Sequence, residues 1–330
     1  MNRVKEFHIL CLGFILGGNM KFFRLVLVGL ILSLGLVGCA PTEKPVVENK
    51  LEGTISIDGS STVFPITELV AEEFNAVNPN VRLTVGFSGT GGGFTKFAAN
   101  EIEISGASRR IKTAEDEAVK AAGIEYVELM VAYDGLSVVV SKDNTWVDYL
   151  TIDELKMIWG ADATATKWSD VRSGFPDTEI KLYSPGHDSG TFDYFTEAVN
   201  GKAGVIRQDS ETVKIFFSED DNALVTGVSG DLGAIGYFGF AYYEENMDKL
   251  KVVPIQKDAK AVTPTYDSIM DNSYPLSRPL FIYANVAELE RPEVLAFVEF
   301  YLENAGDLGA EVGYVSLPEA LYTEALAKLK

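Results

Sequence analysis

The chain is poor in cysteine, in histidine and in positive charge. Two cysteines in 330 residues, Cys11 and Cys39, allow at most one disulfide and exclude a cysteine-rich zinc site. Two histidines, His8 and His187, leave little for histidine-based metal binding or acid–base catalysis, and neither a metal nor a cofactor is expected. Lys and Arg number 28 against 48 Asp and Glu, a net charge of −20, and no basic cluster stands apart from that excess. Nucleic acid is therefore excluded as a partner, because its phosphate backbone would be repelled. Several catalytic signatures are also missing. There is no Gly-x-x-x-x-Gly-Lys-[Ser/Thr] loop, and Gly89-Thr90-Gly91-Gly92-Gly93-Phe94 lacks the last glycine of a dinucleotide fingerprint. Gly86-Phe87-Ser88-Gly89-Thr90 places Thr90 where a nucleophile elbow needs glycine. His187 lies two positions before Ser189, too close in the backbone for a Ser–His pair to work productively. What the chain does have is apolar content, 47%, which excludes intrinsic disorder and suffices for a core in each of about two domains.

The first forty residues stand apart. Met20-Lys21-Phe22-Phe23-Arg24, an apolar run from Leu25 to Val37 and then Gly38-Cys39-Ala40 form a basic start, a short hydrophobic stretch and a small-residue ending, the pattern of a secretory signal. Leu36-Val37-Gly38-Cys39 resembles the bacterial lipobox, which implies cleavage before Cys39 and acylation of its sulfur, with palmitate as one such acyl group. Met20 opens a complete signal on its own, so residues 1–19 are expected to precede the natural start. Removing residues 1–38 takes away four basic side chains and one acidic one, which leaves the mature chain more acidic still. Residues 39–53 are polar and without periodicity, as suits a tether.

From Thr54 onward short β-rich runs alternate with amphipathic stretches. Thr54–Ile57 and Val81–Val85 alternate apolar and polar residues as half-buried strands do, and similar runs lie near Leu136–Val140, Ile180–Tyr183, Ala234–Phe238, Lys251–Ile255 and Leu280–Tyr283. Ile66, Leu69, Val70 and Phe74 have helical spacing behind Pro65, and Asn78-Pro79-Asn80 ends that helix. Further helices are expected at Thr113–Ala121, Thr151–Trp159, Phe192–Val199 and Pro292–Asn304, with Thr151 and Glu154 forming a capping box. This is an α/β chain. The aromatic run from Tyr237 to Tyr243 is expected to be core packing rather than a sugar-stacking surface.

Three segments share one design, a strand end, a run of Gly, Ser and Thr, and then a helix. They are Asp58-Gly59-Ser60-Ser61-Thr62-Val63-Phe64-Pro65, Gly86-Phe87-Ser88-Gly89-Thr90-Gly91-Gly92-Gly93 and Asp188-Ser189-Gly190-Thr191-Phe192. A helix N-terminus offers unpaired N–H groups and a positive dipole end, glycine admits an anion close to the backbone, and hydroxyls add donors. Singly each is ordinary capping. Together they point to a pocket for a tetrahedral oxyanion.

These segments, with Ser105-Gly106-Ala107-Ser108-Arg109 and Gly233-Ala234-Ile235-Gly236-Tyr237-Phe238 in the same order, resemble the phosphate-binding lipoproteins of bacterial ABC phosphate importers. The resemblance runs from about Thr54 to near the C-terminus. It implies a two-lobed type II periplasmic-binding-protein fold with a hinge crossed twice, near Asp134–Ser137 and Tyr274–Pro279. Lobe one is then 54–134 plus 277–330, and lobe two 135–276. By motif, the ligand donors would be Ser61 and Thr62, Ser88 or Thr90, and Ser189, Gly190 and Thr191 from the opposite lobe. Two positions depart from the family's best-known version. There an aspartate follows the Ala-Ser of the third motif and accepts the proton of monohydrogen phosphate, and an arginine lies four residues before the Ser of Ser-Gly-Thr. Here those places hold Arg109 and Pro185. Arg109 is accordingly expected to pair with the anion, and another carboxylate, Asp134 ahead of Asp188, to accept its proton.

The resulting expectation is a monomeric, non-enzymatic, extracytoplasmic lipoprotein. It would be held to the membrane through Cys39, capture inorganic phosphate between its lobes and deliver it to an ABC permease. Another oxyanion such as sulfate or molybdate is the alternative ligand, and a surface phosphohydrolase the alternative class. The latter lacks a nucleophile with its base or a metal cluster in the sequence.

Overall fold

The computed structural model describes residues 50–187, 189–210 and 213–330. The signal region, Cys39 and Asp188 lie outside the described residues, so nothing structural attaches to those expectations. The first half runs β1 (Gly53–Gly59), α1 (Phe64–Val77), β2 (Val81–Val85), α2 (Thr90–Ala98), β3 (Ile104–Ala107), α3 (Thr113–Ala121), β4 (Tyr126–Ser141), β5 (Leu150–Thr151), α4 (Ile152–Trp159) and α5 (Trp168–Val171). The second half runs β6 (Lys181–Pro185), α6 (Gly190–Asn200), β7 (Ile215–Ser218), α7 (Asp221–Ser229), β8 (Ala234–Gly239), α8 (Phe240–Glu245), β9 (Leu250–Val252), β10 (Ile255–Gln256), β11 (Ala261–Val262), α9 (Tyr266–Met270), β12 (Ser277–Asn285), α10 (Pro292–Glu311) and α11 (Glu319–Ala327).

Local sequence explains most of these elements. In α1, Pro65 opens the first turn and Ile66, Val70, Ala71 and Phe74 form the buried stripe. At α4, Thr151 Oγ1 accepts from Glu154 N at 3.0 Å while the Glu154 carboxylate accepts from Thr151 N at 2.8 Å, the reciprocal cap read from the sequence. Lys251–Ile255 is two strands rather than one. Pro254 has no N–H to continue the ladder, so β9 pairs with β4 while β10 joins β5 and β11 in a separate small sheet. Helix α10 extends past Asn304 because Ala305 and Gly309 continue its buried face. The aromatic run is core, with Tyr237, Phe238 and Phe240 all buried.

Among the described residues the main sheet has nine strands, in the order β2-β1-β3-β12-β4-β8-β6-β7 with β9 also on β4. Strand β4 carries the design. Its residues Tyr126–Gly135 pair antiparallel with β12, and Leu136–Val140 pair antiparallel with β8. The change of partner falls between Gly135 and Leu136. On one side Ile55, Ile66, Phe74, Leu129, Ile282 and Phe297 belong to one buried core; on the other Val138, Trp159, Phe195, Tyr237 and Tyr274 belong to a second. Burying a side chain of this size contributes roughly 1.5–3 kcal/mol, so each core can hold its own lobe. The C-terminal segment does not stay wholly with the first core. Tyr133 and Val315 exchange backbone hydrogen bonds at 2.8 Å, which lays Val315 and Leu317 against the second core.

Each lobe repeats one topology. Parallel neighbours β2 and β3 flank β1, and parallel neighbours β7 and β8 flank β6. In such sheets the chain leaves the middle strand toward one side and returns on the other, and the crevice at that strand's carboxyl end is where ligands bind. At those two ends lie Ser60–Val63, within the first Ser/Gly/Thr segment, and Ser189, within the third.

Helix α7 supplies a test of the second lobe's electrostatics. Asp221 opens it beside Asp220 and Glu219; burial first, and then those two charges, push its carboxyl up to about 6. The unfolded value is near 3.9. The group therefore favours the fold fully below pH ~4 and loses that contribution as pH rises through about 6. Because Asp221 is only partly buried and a first-turn charge is welcome at a helix N-terminus, the discounted effect is about 1 kcal/mol. Urea unfolding should find Asp221→Asn more stable than wild type by that amount at pH 7.5 and indistinguishable from it at pH 4.

Candidate oxyanion site

The two switch-point loops meet. Ser61 Oγ donates to Asp193 Oδ2 at 2.8 Å, and Thr62 Oγ1 donates to the Gly190 carbonyl at 3.4 Å. Beside this contact lies a cavity of about 540 Å³, lined from the first lobe by Ser60, Ser61, Thr62, Thr90, Ser108, Arg109 and Lys112. Asp193, Tyr194 and Glu197 of α6 line the facing wall, and Arg278 of β12 lies between them.

Helix α2 begins inside the glycine run rather than after it. Gly93 allows this, since a Cβ there would lie 2.6 Å from the Gly59 Cα, and only a bare backbone lets α2 pack this close to β1. Helix α2 has no side-chain cap, so first-turn N–H groups there remain for an anion or water, whereas in α1 the Phe64 N–H already donates to the Ser60 carbonyl at 3.0 Å and Pro65 has none.

Arg278 is the principal charge of the site. It sits directly opposite Asp134 in the β12–β4 register, and its Nε lies 3.3 Å from Asp134 Oδ2. Nη2 donates to Thr62 Oγ1 at 2.6 Å, and Nη1 reaches Glu197 at 3.5 Å. Tyr194 lies beneath the guanidinium, with Cζ 3.5 Å from the ring centroid. Asp134 is buried, 1% exposed, and burial pushes its carboxyl up while the Arg278 charge and hydrogen bond pull it back.

The expected residues divide. Ser61, Thr62, Thr90 and Arg109 reach the cavity, and Asp134 stands behind Arg278. Gly190 meets the first loop, while Ser189 Oγ accepts from Thr191 N at 3.2 Å and so caps α6. Ser88 turns away to hydrogen-bond Asp58, whose other oxygen binds Lys96 at 2.6 Å. Thr90 faces inward instead, its Oγ1 accepting from Ser108 N at 3.2 Å. Arg109 lines the wall, but Glu115 holds both ends of its fork, at 2.7 and 2.8 Å. That hydrogen-bonded pair raises the Arg109 pKa and lowers that of Glu115. Sequence reasoning missed Arg278, Asp193, Tyr194 and Glu197. A signal for Arg278 existed, since it is a lone charge within an expected hinge crossing.

Charge-assisted hydrogen bonds from Arg278, hydroxyls and helix N-termini suit a tetrahedral anion. The site's partly paired charges also explain how an anion can settle on an acidic protein, since local dipoles rather than net charge set the potential there. His187 packs its ring against Phe192 and Phe217, and among the described residues no group of His, Cys, Asp and Glu is placed to hold a metal ion. Residues 44–305 match the model of the PBP superfamily domain. The chain belongs to the PBP superfamily. Its two lobes, its twice-crossed central strand pair and its interlobe cavity are the type II form of that family's fold. The chain is 40% identical over 311 residues to the phosphate-binding protein PstS of Staphylococcus saprophyticus, covering 94% of this chain and 93% of that one. A crystal structure of a possible phosphate binding protein from Planctomyces limnophilus is 50% identical, with a TM-score of 0.80 over 84% of this chain and 99% of that one. An ABC-type phosphate transport receptor from Vibrio cholerae is 25% identical, with a TM-score of 0.58 over 80% and 100% of the two chains. Among the described residues no helix is long and apolar enough to cross a membrane.

Proposed function

We propose that the protein is an extracytoplasmic binding protein that captures inorganic phosphate between its lobes and hands it to an ABC permease. It acts as a monomer, without catalysis, anchored through a lipid on Cys39 once residues 1–38 are removed. The lobes are 54–134 plus 277–330 and 135–276. The observation that carries this reading is Arg278 at the junction of two switch-point loops, a cation that lines the cavity with the buried Asp134 carboxylate paired behind it. The names of the relatives support the choice of phosphate.

Ser61, Thr62 and Thr90 donate from lobe one, and the loop of Ser189, Gly190 and Thr191 brings the start of α6 to the ligand from lobe two, with the Gly190 N–H as its donor while Ser189 Oγ caps Thr191 N. Arg278 supplies the paired charge. Arg109 adds positive potential from the wall while Glu115 holds its fork. Asp134 accepts the proton of monohydrogen phosphate. Sulfate at neutral pH has no proton to give, so the same carboxylate repels it. Calorimetry on the purified protein at pH 7.5 should show phosphate binding about a hundredfold or more tighter than sulfate, and Asp134→Asn should narrow that gap. Sulfate or molybdate binding as tightly as phosphate to the wild type would overturn the assignment.

A further inference from the structure

Arg278 is held from two lobes at once. Asp134 and Thr62 fix its Nε and Nη2 from the strand and loop of the first core. From the second, Tyr194 presents its ring to the flat of the guanidinium at 3.5 Å, and Glu197, one turn on, touches Nη1 at 3.5 Å through a half-exposed carboxylate. Tyr194 is 7% exposed and Arg278 12% by side chain, so this stack is withdrawn from water, where such contacts are strongest.

Resting on the phosphate reading above, we propose that Tyr194 is the positioning residue of the site. Its ring fixes the plane of the Arg278 guanidinium, so that the ligand meets the Nη1 edge and does so only when the lobes are closed. The ring covers one face of the cation, Nε and Nη2 are committed, and the in-plane Nη1 edge is what remains. A tetrahedral anion arriving there displaces the loosely held Glu197 carboxylate. Tyr194 and Arg278 belong to opposite lobes, so opening them frees the guanidinium to rotate and scatters its donors. Closure and delivery of the charge are thus one event.

Calorimetric titration of the purified protein with inorganic phosphate tests this. Tyr194→Phe keeps the ring and should bind within about twofold of wild type, whereas Tyr194→Leu should bind about tenfold or more weakly. In an Arg278→Lys background, where no planar fork remains to be oriented, the leucine should add no further loss. Should the leucine variant fail to fold, phenylalanines of increasing fluorination at position 194 replace it. They keep the packing and weaken the ring's attraction for a cation, so affinity should fall stepwise with each fluorine. A flat fluorination series, a leucine variant equal to wild type, or a phenylalanine variant as weak as the leucine one overturns the role of Tyr194 while the phosphate reading stands. Wild-type protein that does not bind phosphate overturns both.

Discussion

Arg278→Ala should lower phosphate affinity by about a hundredfold or more, because truncating one member of a hydrogen-bonded, desolvated charge pair costs about 2–5 kcal/mol. The same change should destabilise the ligand-free protein. Asp134 would remain buried with its cation gone, and an uncompensated buried charge costs about 3–5 kcal/mol. The sign with pH follows from the direction of the Asp134 shift, which burial drives upward. Removing Arg278 raises that pKa further. A carboxyl whose folded pKa lies above its unfolded one favours the fold below the unfolded value, near 3.9, and loses that contribution as pH rises through the folded value. The stability gap between wild type and Arg278→Ala should therefore be widest at neutral pH and close toward pH 4, as read by urea unfolding across that range. Asp134→Asn combined with Arg278→Ala should recover most of the lost stability and none of the affinity. A double variant that binds phosphate normally would remove this pair from the site.

Gly190→Ala should be nearly as damaging to binding while leaving each lobe intact. A Cβ at Gly190 would lie 2.8 Å from Thr62 Cα and 3.1 Å from the Ser61 carbonyl, both backbone-level contacts across the cleft that no rotamer change relieves. Within α6 itself alanine is well tolerated at the first helical position. The variant should melt like wild type without ligand, bind phosphate about a hundredfold more weakly, and keep its ligand-free scattering profile in X-ray solution scattering when phosphate is added. Contraction on phosphate addition equal to that of wild type would show that the approach of Gly190 to Thr62 is not what limits closure.

The frame of the molecule was legible in the sequence where side chains repeat with a period. The spacing of Ile66, Val70 and Phe74 marked α1, and Thr151 with Glu154 marked the start of α4. Strand β3 escaped because it is buried on both faces, so Ile104-Ser105-Gly106-Ala107 carries no alternation. Helix α2 was expected to follow its three successive glycines and instead starts before them, because only the close approach of β1 explains those glycines as helix. For the site, local motifs located the loops that end at the cleft. They did not reveal which hydroxyl faces inward, since Ser88 and Thr90 are two residues apart and only the pull of Asp58 separates them. Nor did they reveal Arg278, whose partners Thr62, Asp134, Tyr194 and Glu197 are scattered across the chain and converge only through the fold.

The continuous strand β4 also fixes an order of assembly. Its second half, Leu136–Val140, finds β8 and β9 within the next 120 or so residues, so the sheet of the second lobe completes from one uninterrupted stretch of chain. Its first half must wait for β12, which inserts between β3 and β4 only after Ser277–Asn285 have left the ribosome, and for α10 to cover the result. Until then Ile104–Ala107 and Tyr126–Gly135 present unpaired edges, the state in which a chain is most prone to pair wrongly. The inner segment of the chain can therefore pair early, and its outer segments cannot. The vulnerable interval ends with the strand that brings Arg278 into register with Asp134.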